Sequence, residues 1–421
     1  MKDNYLNRHI LCIDLKSFFA SCECIDKKLD PFNYPLVVAN PSQGKGAITL
    51  AVTPYLKKLG VKSRGRLYEI PTNIKYRIAK PRMSLYISKS KEVISVYLDF
   101  VAEEDILIYS IDECFLDVTN YLKMYQMTDE ELGEKILNTI LKKTGLTATC
   151  GIGPNMLLAK IAMDIEAKHN SNNIAKWNYD DIEEKLWSIT PLSKMWGIGK
   201  RMEANLNKLN IYTVGDLAKT NKFILKDQFG IMGEELWNHA NGIDLSNIKD
   251  HKKLSKSESI SHSQVLFKDY DENNIKIIIS EMVDVLVSRL RINNKLTKWI
   301  GLGIGYSKNV TGGFFHSIKL DNPTDDDREI LKYCLIIFDK FYEFLPIRKV
   351  TINFGLLQKR ENIQLNLFNN IEKMESKRNV DLTIEKIKNK FGKNSLLKAT
   401  NLLDDSTAIE RNKKIGGHYS W

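Results

Sequence analysis

A multidomain α+β architecture is predicted by three observations. Over residues 1–173, strand-length apolar runs alternate with stretches of helical spacing in the order β-α-(insert)-α-β-β-α-β-α. Residues 174–246 read as helical, broken by Gly197-Ile198-Gly199. Residues 259–357 repeat a β-α-β-β-α-β order, the split-βαβ topology. A chain of 421 residues is long enough for roughly two to four such units, each with a core of its own.

The elements follow from local pattern. His9 to Asp14 is a short apolar strand ending in an acid, and Phe18 to Leu29 has helical spacing until Asp30-Pro31 breaks it. Leu36 to Ala39 and Ala47 to Val52 are buried-type strands around a Gly-rich turn, Ser42 to Gly46. Leu85 to Phe100 and Glu130 to Lys143 are helices, and Ile106 to Val118 is a hairpin. Thr147 to Ile152 is a strand, Pro154 opens a helix running to Asp164, and Asp180 to Ile189 is another helix. Residues 247–258 are polar and basic and read as a linker. Beyond it come strand Ser259–Leu266, helix Asn274–Asn293, strands Lys298–Tyr306 and Gly313–Leu320, helix Asp326–Leu345 and strand Lys349–Leu356. In the charged tail, Leu382 to Phe391 and Ser395 to Leu403 again have helical spacing.

Composition narrows the class of partner. The formal net charge of +10 favours a polyanion. Six cysteines without a Cys-x-x-Cys pair or a nearby histidine cluster argue against a zinc site and for free thiols in a reducing compartment. No apolar leader opens the chain, and no apolar run of roughly 18 residues occurs, so a soluble cytoplasmic protein with no membrane role is expected.

The chemistry concentrates at Ser110-Ile111-Asp112-Glu113. Two adjacent acids at a hairpin tip, with no basic neighbour in the run, repel unless a cation lies between them. An isolated Asp-Glu at a turn is ordinarily a pair of exposed residues. Asp14, a third carboxylate at the end of another strand, changes that balance. Three converging carboxylates suit two hard cations and in-line phosphoryl displacement, which is nucleotidyl-transfer chemistry.

Two stretches carry a resemblance. Asp14-Leu15-Lys16-Ser17-Phe18-Phe19-Ala20-Ser21-Cys22-Glu23 and Ser110-Ile111-Asp112-Glu113 resemble the first and third motifs of the Y-family, or translesion, DNA polymerases, nearest the UmuC-like branch of Gram-positive bacteria. The resemblance spans most of the chain and implies a right-hand polymerase. Its parts would be a palm (1–25 and 85–173), small fingers (26–84), a helical thumb with a helix-hairpin-helix (174–246), a linker (247–258), a β-α-β-β-α-β little finger (259–357) and a tail (358–421). It implies that Asp14, Asp112 and Glu113, with the Leu15 carbonyl, bind two magnesium ions. Lys16, Ser17, Phe18, Phe19, Lys57 and Lys160 would meet the incoming deoxynucleoside triphosphate, with Phe19 as the steric gate against a ribose 2′-hydroxyl and Phe18 turned to the core. Lys57 stands where many members carry arginine, and Pro54 where many carry tyrosine, so a point charge replaces a bidentate fork.

Outside the palm, Gly197 and Gly199 allow close approach to a phosphate, with Lys200 and Arg201 adding charge for primer-template DNA. The little-finger sheet would lie along the duplex and contact phosphates. Gln364-Leu365-Asn366-Leu367-Phe368 is similar to the bacterial sliding-clamp-binding pentapeptide, in which Gln364, Leu365, Leu367 and Phe368 make the contacts. Family-level expectations are low fidelity, bypass of damaged bases, and a place in DNA repair and the SOS response. Some UmuC-like members also require a UmuD-like protein or a recombinase filament, and the sequence leaves that open here. Two alternatives stand beside this reading: another palm-type nucleotidyl transferase, and an accessory protein bound to DNA and clamp without independent polymerase activity.

Overall fold

The computed structural model describes residues 6–251, 258–360 and 371–420. It divides into two compact units, Met1–Lys253 with His418–Trp421, and Leu254–Gly417.

The first unit is built on β1 (Ile10–Leu15) and α1 (Phe18–Asp26). An insert follows: β2 (Leu36–Ala39), β3 (Ile48–Val52), the short helix α2 (Pro54–Lys58), β4 (Gly65–Arg66) and β5 (Arg77–Ala79). Its strands form a sheet of their own, ordered β4-β3-β2-β5, over a small core that includes Val37, Val52 and Leu56. The chain then returns through α3 (Met83–Leu98), β6 (Ile106–Ile108), β7 (Glu113–Asp117), α4 (Leu122–Tyr125), α5 (Asp129–Thr144), β8 (Ala148–Gly153) and α6 (Met156–Ala162) to β9 (Ile174–Lys176). The main sheet runs β6-β7-β1-β8-β9, antiparallel except for the β8/β9 pair.

Alternation along β1 explains its central place. Leu11, Ile13 and Leu15 enter the core shared with α1, α3 and α5. Ile10 and Cys12 face the other way, against Met156 and Ala159 of α6. The strand β9 was not expected from the sequence, because three residues carry too little period to register. Gly151 and Gly153 let α6 lie directly on β8: a Cβ on Gly151 would stand 2.1 Å from the Ala159 carbonyl oxygen. Gly151→Ala is accordingly expected to destabilise this unit by about 1–3 kcal/mol, or to displace α6, as read by a lowered calorimetric transition.

After β9, the expected helix over Asp180–Ile189 is instead two short helical turns, Tyr179–Asp181 tighter and Ile182–Leu186 wider than an α-helix. The helices α7 (Lys200–Asn207), α8 (Val214–Lys219), α9 (Lys222–Phe229) and α10 (Ile231–Ala240) follow. The stretch expected to be linker begins with a short helix, α11 (Ile248–His251). Ile248 is its apolar anchor, buried beside Ile10 and Phe115, while Lys249 pairs with Asp105 at 3.3 Å.

In the second unit β10 (Ile260–Tyr270), α12 (Glu272–Ile292), β11 (Lys295–Tyr306), β12 (Gly313–Thr324), α13 (Asp327–Phe341) and β13 (Ile347–Gly355) form an antiparallel sheet ordered β10-β13-β11-β12. One sheet face packs on α12 and α13 around Ile300, Leu302, Ile352 and Phe354. Asp271 caps α12 in a capping box, which starts the helix two residues before the apolar period does.

The tail also folds onto this unit. The helix α14 (Ile371–Phe391) begins well before Leu382, whereas Ser395–Leu403 holds only a single tight turn at Ala399–Leu402, followed by α15 (Ala408–Asn412). Polar groups fasten it. The Glu281 side chain, 1% exposed, meets Arg411 Nη1 at 3.1 Å and accepts from Thr407 N–H and Oγ1, while Arg291 Nη2 lies 2.8 Å from Asp381.

His262 is set among the same groups. Burial, then the Arg411, Arg289 and Lys393 cations, holds its imidazole down to about 4, and Nε2 is buried with no hydrogen-bond partner among the described residues. A base whose folded pKa lies below its unfolded value binds more protons when unfolded. The stability it confers is therefore complete above about pH 6.5 and lost as the pH falls through that window towards 4. His262→Gln should flatten the decline, measured by urea unfolding followed through Trp299, the sole tryptophan of this unit.

Candidate active site

The register of β1 with its neighbours assembles the acids. Asp14 pairs across with Glu113 of β7 and Thr149 of β8, so alternation puts Asp14 and Glu113 on the α6 face at one end of the sheet. Asp112 lies in the turn before β7, tied to β1 by the Leu15 N–H, which donates to the Asp112 carbonyl at 2.9 Å. The Asp112 carboxylate accepts from Ser110 Oγ at 2.6 Å, so Ser110 acts as a local brace.

Positive charge reaches this cluster from one helical segment. Lys160 Nζ lies 2.9 Å from Glu113 and 2.9 Å from Asp164, and Lys168 Nζ lies 3.1 Å from Asp14 and 2.7 Å from Asp164. Burial pushes the Asp14 carboxyl up, Lys168 opposes it and Asp112 adds to it. Glu113 is likewise raised by burial, opposed by Lys160 and reinforced by Asp14. Burial also works against the charge on Lys160 and Lys168, but facing carboxylates more than offset it and both stay above the ordinary lysine range. Among the described residues, no three acid, histidine or cysteine side chains gather about one point as a ready metal cage. The backbone brings the three acids together, and each carboxylate has a partner of its own.

The donor chemistry fits a divalent cation. Hard carboxylate oxygens that repel one another and already attract two ammonium groups form a site that demands positive charge.

The other residues singled out in the sequence lie around it. Lys16 donates to the Asn173 side chain, and Ser17, in the left-handed region at φ 50°, starts α1 with its buried Oγ unpartnered among the described residues. Phe18 is in the core. Phe19 is half-buried and stacks on Tyr86 at 4.5 Å between centroids. Tyr86 is pinned by its hydroxyl to Glu23, which Arg82 grips with two hydrogen bonds of 3.0 and 2.8 Å. Lys57 is exposed, yet desolvation lowers its ammonium, Asp14 and Asp112 pull the other way, and the neighbouring Lys168 and Lys16 add to the lowering.

Farther off, Gly197 has φ 88° and Gly199 caps α7; a Cβ at either would meet nothing within 4 Å. Lys200 and Arg201 are at the exposed start of that helix. Gln364, Leu365, Leu367 and Phe368 lie outside the described residues.

Lys168, Asp164, Asn173 and the Glu23–Arg82–Tyr86 group were missed by sequence reasoning. The i, i+4, i+8 spacing of Lys160, Asp164 and Lys168 was a usable signal for the first two. Asn173 and Arg82 are joined to the site only by tertiary contact.

Comparison with known proteins places the chain in a family. Residues 13–164 match the impB/mucB/samB family, residues 179–211 the HHH motif of the same family, and residues 257–367 its C-terminal domain. The chain belongs to the impB/mucB/samB family, the Y-family of DNA polymerases. Within it, the chain is 39% identical over 416 residues to a Bacillus subtilis (strain 168) protein whose name reads UV-damage repair protein UvrX, covering 98% of each. It is 32% identical to DNA polymerase IV 2 of the same organism, covering 97% of this chain and 98% of the relative. To DNA polymerase IV 2 of Halalkalibacterium halodurans it is 30% identical, covering 98% and 100%. No helix among the described residues is long and apolar enough to cross a membrane.

Proposed function

We propose that this chain is a template-directed DNA polymerase of the translesion type, adding deoxynucleotides to a primer 3′-hydroxyl. The observation that carries the reading is the placement of Asp14, Asp112 and Glu113 at one sheet end with Lys160 paired to Glu113. Asp14, Asp112, Glu113 and the Leu15 carbonyl would hold two magnesium ions, which supply the Lewis acidity that activates the hydroxyl and steadies the departing pyrophosphate.

The rest is done by the chain. Lys160, Lys57 and Lys16 bring positive charge to the triphosphate, and the unpartnered Ser17 hydroxyl offers it a donor. Phe19, held by Tyr86, closes the space a 2′-hydroxyl would need. In this reading residues 26–84 are the fingers, 174–246 the thumb that grips backbone phosphates through Gly197, Gly199, Lys200 and Arg201, and 259–357 the little finger along the duplex. Gln364 to Phe368 would engage a sliding clamp, and the work falls within repair of damaged DNA.

The test is extension of a primed template with magnesium, comparing the intact protein with Asp112→Ala/Glu113→Ala. Template-dependent extension lost in the variant supports the reading. Binding of primer-template without extension, even with a clamp supplied, would replace it with the accessory role.

A further inference from the structure

We propose that the uncovered face of the β10-β13-β11-β12 sheet is a stacking platform for unpaired bases of single-stranded DNA. This goes beyond phosphate contact along a duplex and rests on the reading that the protein works on DNA. On β11, Ile300, Leu302 and Ile304 point into the core against α12 and α13. The alternate positions, Trp299, Gly301, Gly303 and Gly305, therefore line the opposite face.

Those glycines change the attitude of two aromatic rings. A Cβ on Gly301 would stand 2.6 Å from Phe315 Cζ and 2.8 Å from Trp299 Cη2, and one on Gly355 would stand 3.0 Å from Trp299 Cε3. Side chains on a sheet ordinarily stand away from it, but here both rings lie down over bare backbone. Their centroids are 6.2 Å apart with planes 34° from parallel, and Phe315 is 48% exposed. Glycine within strands weakens them, so Gly301 and Gly303 on β11 with Gly355 on β13, beneath aromatic rings, sacrifice stability to keep the surface low.

The charge suits a nucleic acid strand. Cross-strand register places Lys319 beside Trp299 and Lys349 beside Gly305. The positions level with Gly301 and Gly303 on β10, β12 and β13 are Ser, Thr, Asn and Phe315, with no acid among them. Two lysines alone would serve phosphates on any duplex. Flat aromatic rings, Phe315 half-exposed and Trp299 partly so, add what a paired base cannot use and an unpaired base can.

The experiment uses the full-length protein with a fluorescent oligothymidine and a blunt duplex of equal length, both read by anisotropy. Trp299→Leu/Phe315→Leu retains apolar bulk but removes the rings, and circular dichroism checks that it folds. Oligothymidine affinity should drop roughly five- to hundredfold, the range for losing about one stacked base, with duplex affinity unchanged within about twofold. Oligothymidine should also quench the emission of the wild type more than that of Trp299→Phe. Unchanged oligothymidine binding, an equal loss on both ligands, or no quenching difference would overturn the proposal. Primer extension by the same preparations separates the two readings: extension with no stacking loss removes only the platform. A stacking loss without extension keeps the platform and removes the polymerase.

Discussion

Glu113→Gln is expected to reduce primer extension by about a hundred- to a thousandfold while leaving primer-template affinity close to that of the wild type. The substitution conserves shape and keeps an oxygen for Lys160, which now lies 2.9 Å from the carboxylate. What it removes is one negative charge at the sheet end where Asp14 and Glu113 face each other in register. Charge that acts only as the transition state forms is spent on rate rather than binding, and single electrostatic groups in such sites contribute on that scale. Single-turnover extension alongside equilibrium DNA binding checks both halves. Equal losses in binding and rate would mean that Glu113 merely holds the hairpin together.

The second large effect lies far from the acids in sequence. Arg411→Ala should destabilise the Leu254–Gly417 unit by about 3 kcal/mol, the lower end for breaking a buried ion pair, and loosen the segment after α14. Glu281 is 1% exposed and would lose its guanidinium partner, though Thr407 N–H and Oγ1 still donate to it at 3.2 and 3.1 Å. Those remaining donors set the estimate at the low end. Limited proteolysis should then cut near residues 392–407 faster than in the wild type, and unfolding followed by Trp299 should shift to lower denaturant. A shift with no new cleavage would show that the tail does not depend on this bond.

How much was legible divides along physical lines. Strands such as Leu36–Ala39, and the six elements of the second unit, were readable because burial on one or both faces imposes a period. The convergence of the acids was readable because two separate strand ends carry carboxylates and the motifs around them resemble a known family. The strand Ile174–Lys176 was too short for any period, and the two turns over Tyr179–Leu186 imitate helical spacing without sustaining an α-helix. Ile248 in a basic stretch looked like noise until its burial beside Phe115 gave it a role. Lys168 was hidden for a different reason. Charged side chains on a helix usually face water; the i, i+4 spacing ties Lys168 to Asp164, but its turn back to Asp14 is a tertiary contact.

The positive partners of the two facing acids come from one stretch of chain, Lys160 and Lys168 joined through Asp164. The acids and that stretch consequently form one electrostatically coupled unit: removing Lys160 leaves Glu113 uncompensated, removing both withdraws a matched pair, and the two substitutions are therefore non-additive in a double-mutant cycle.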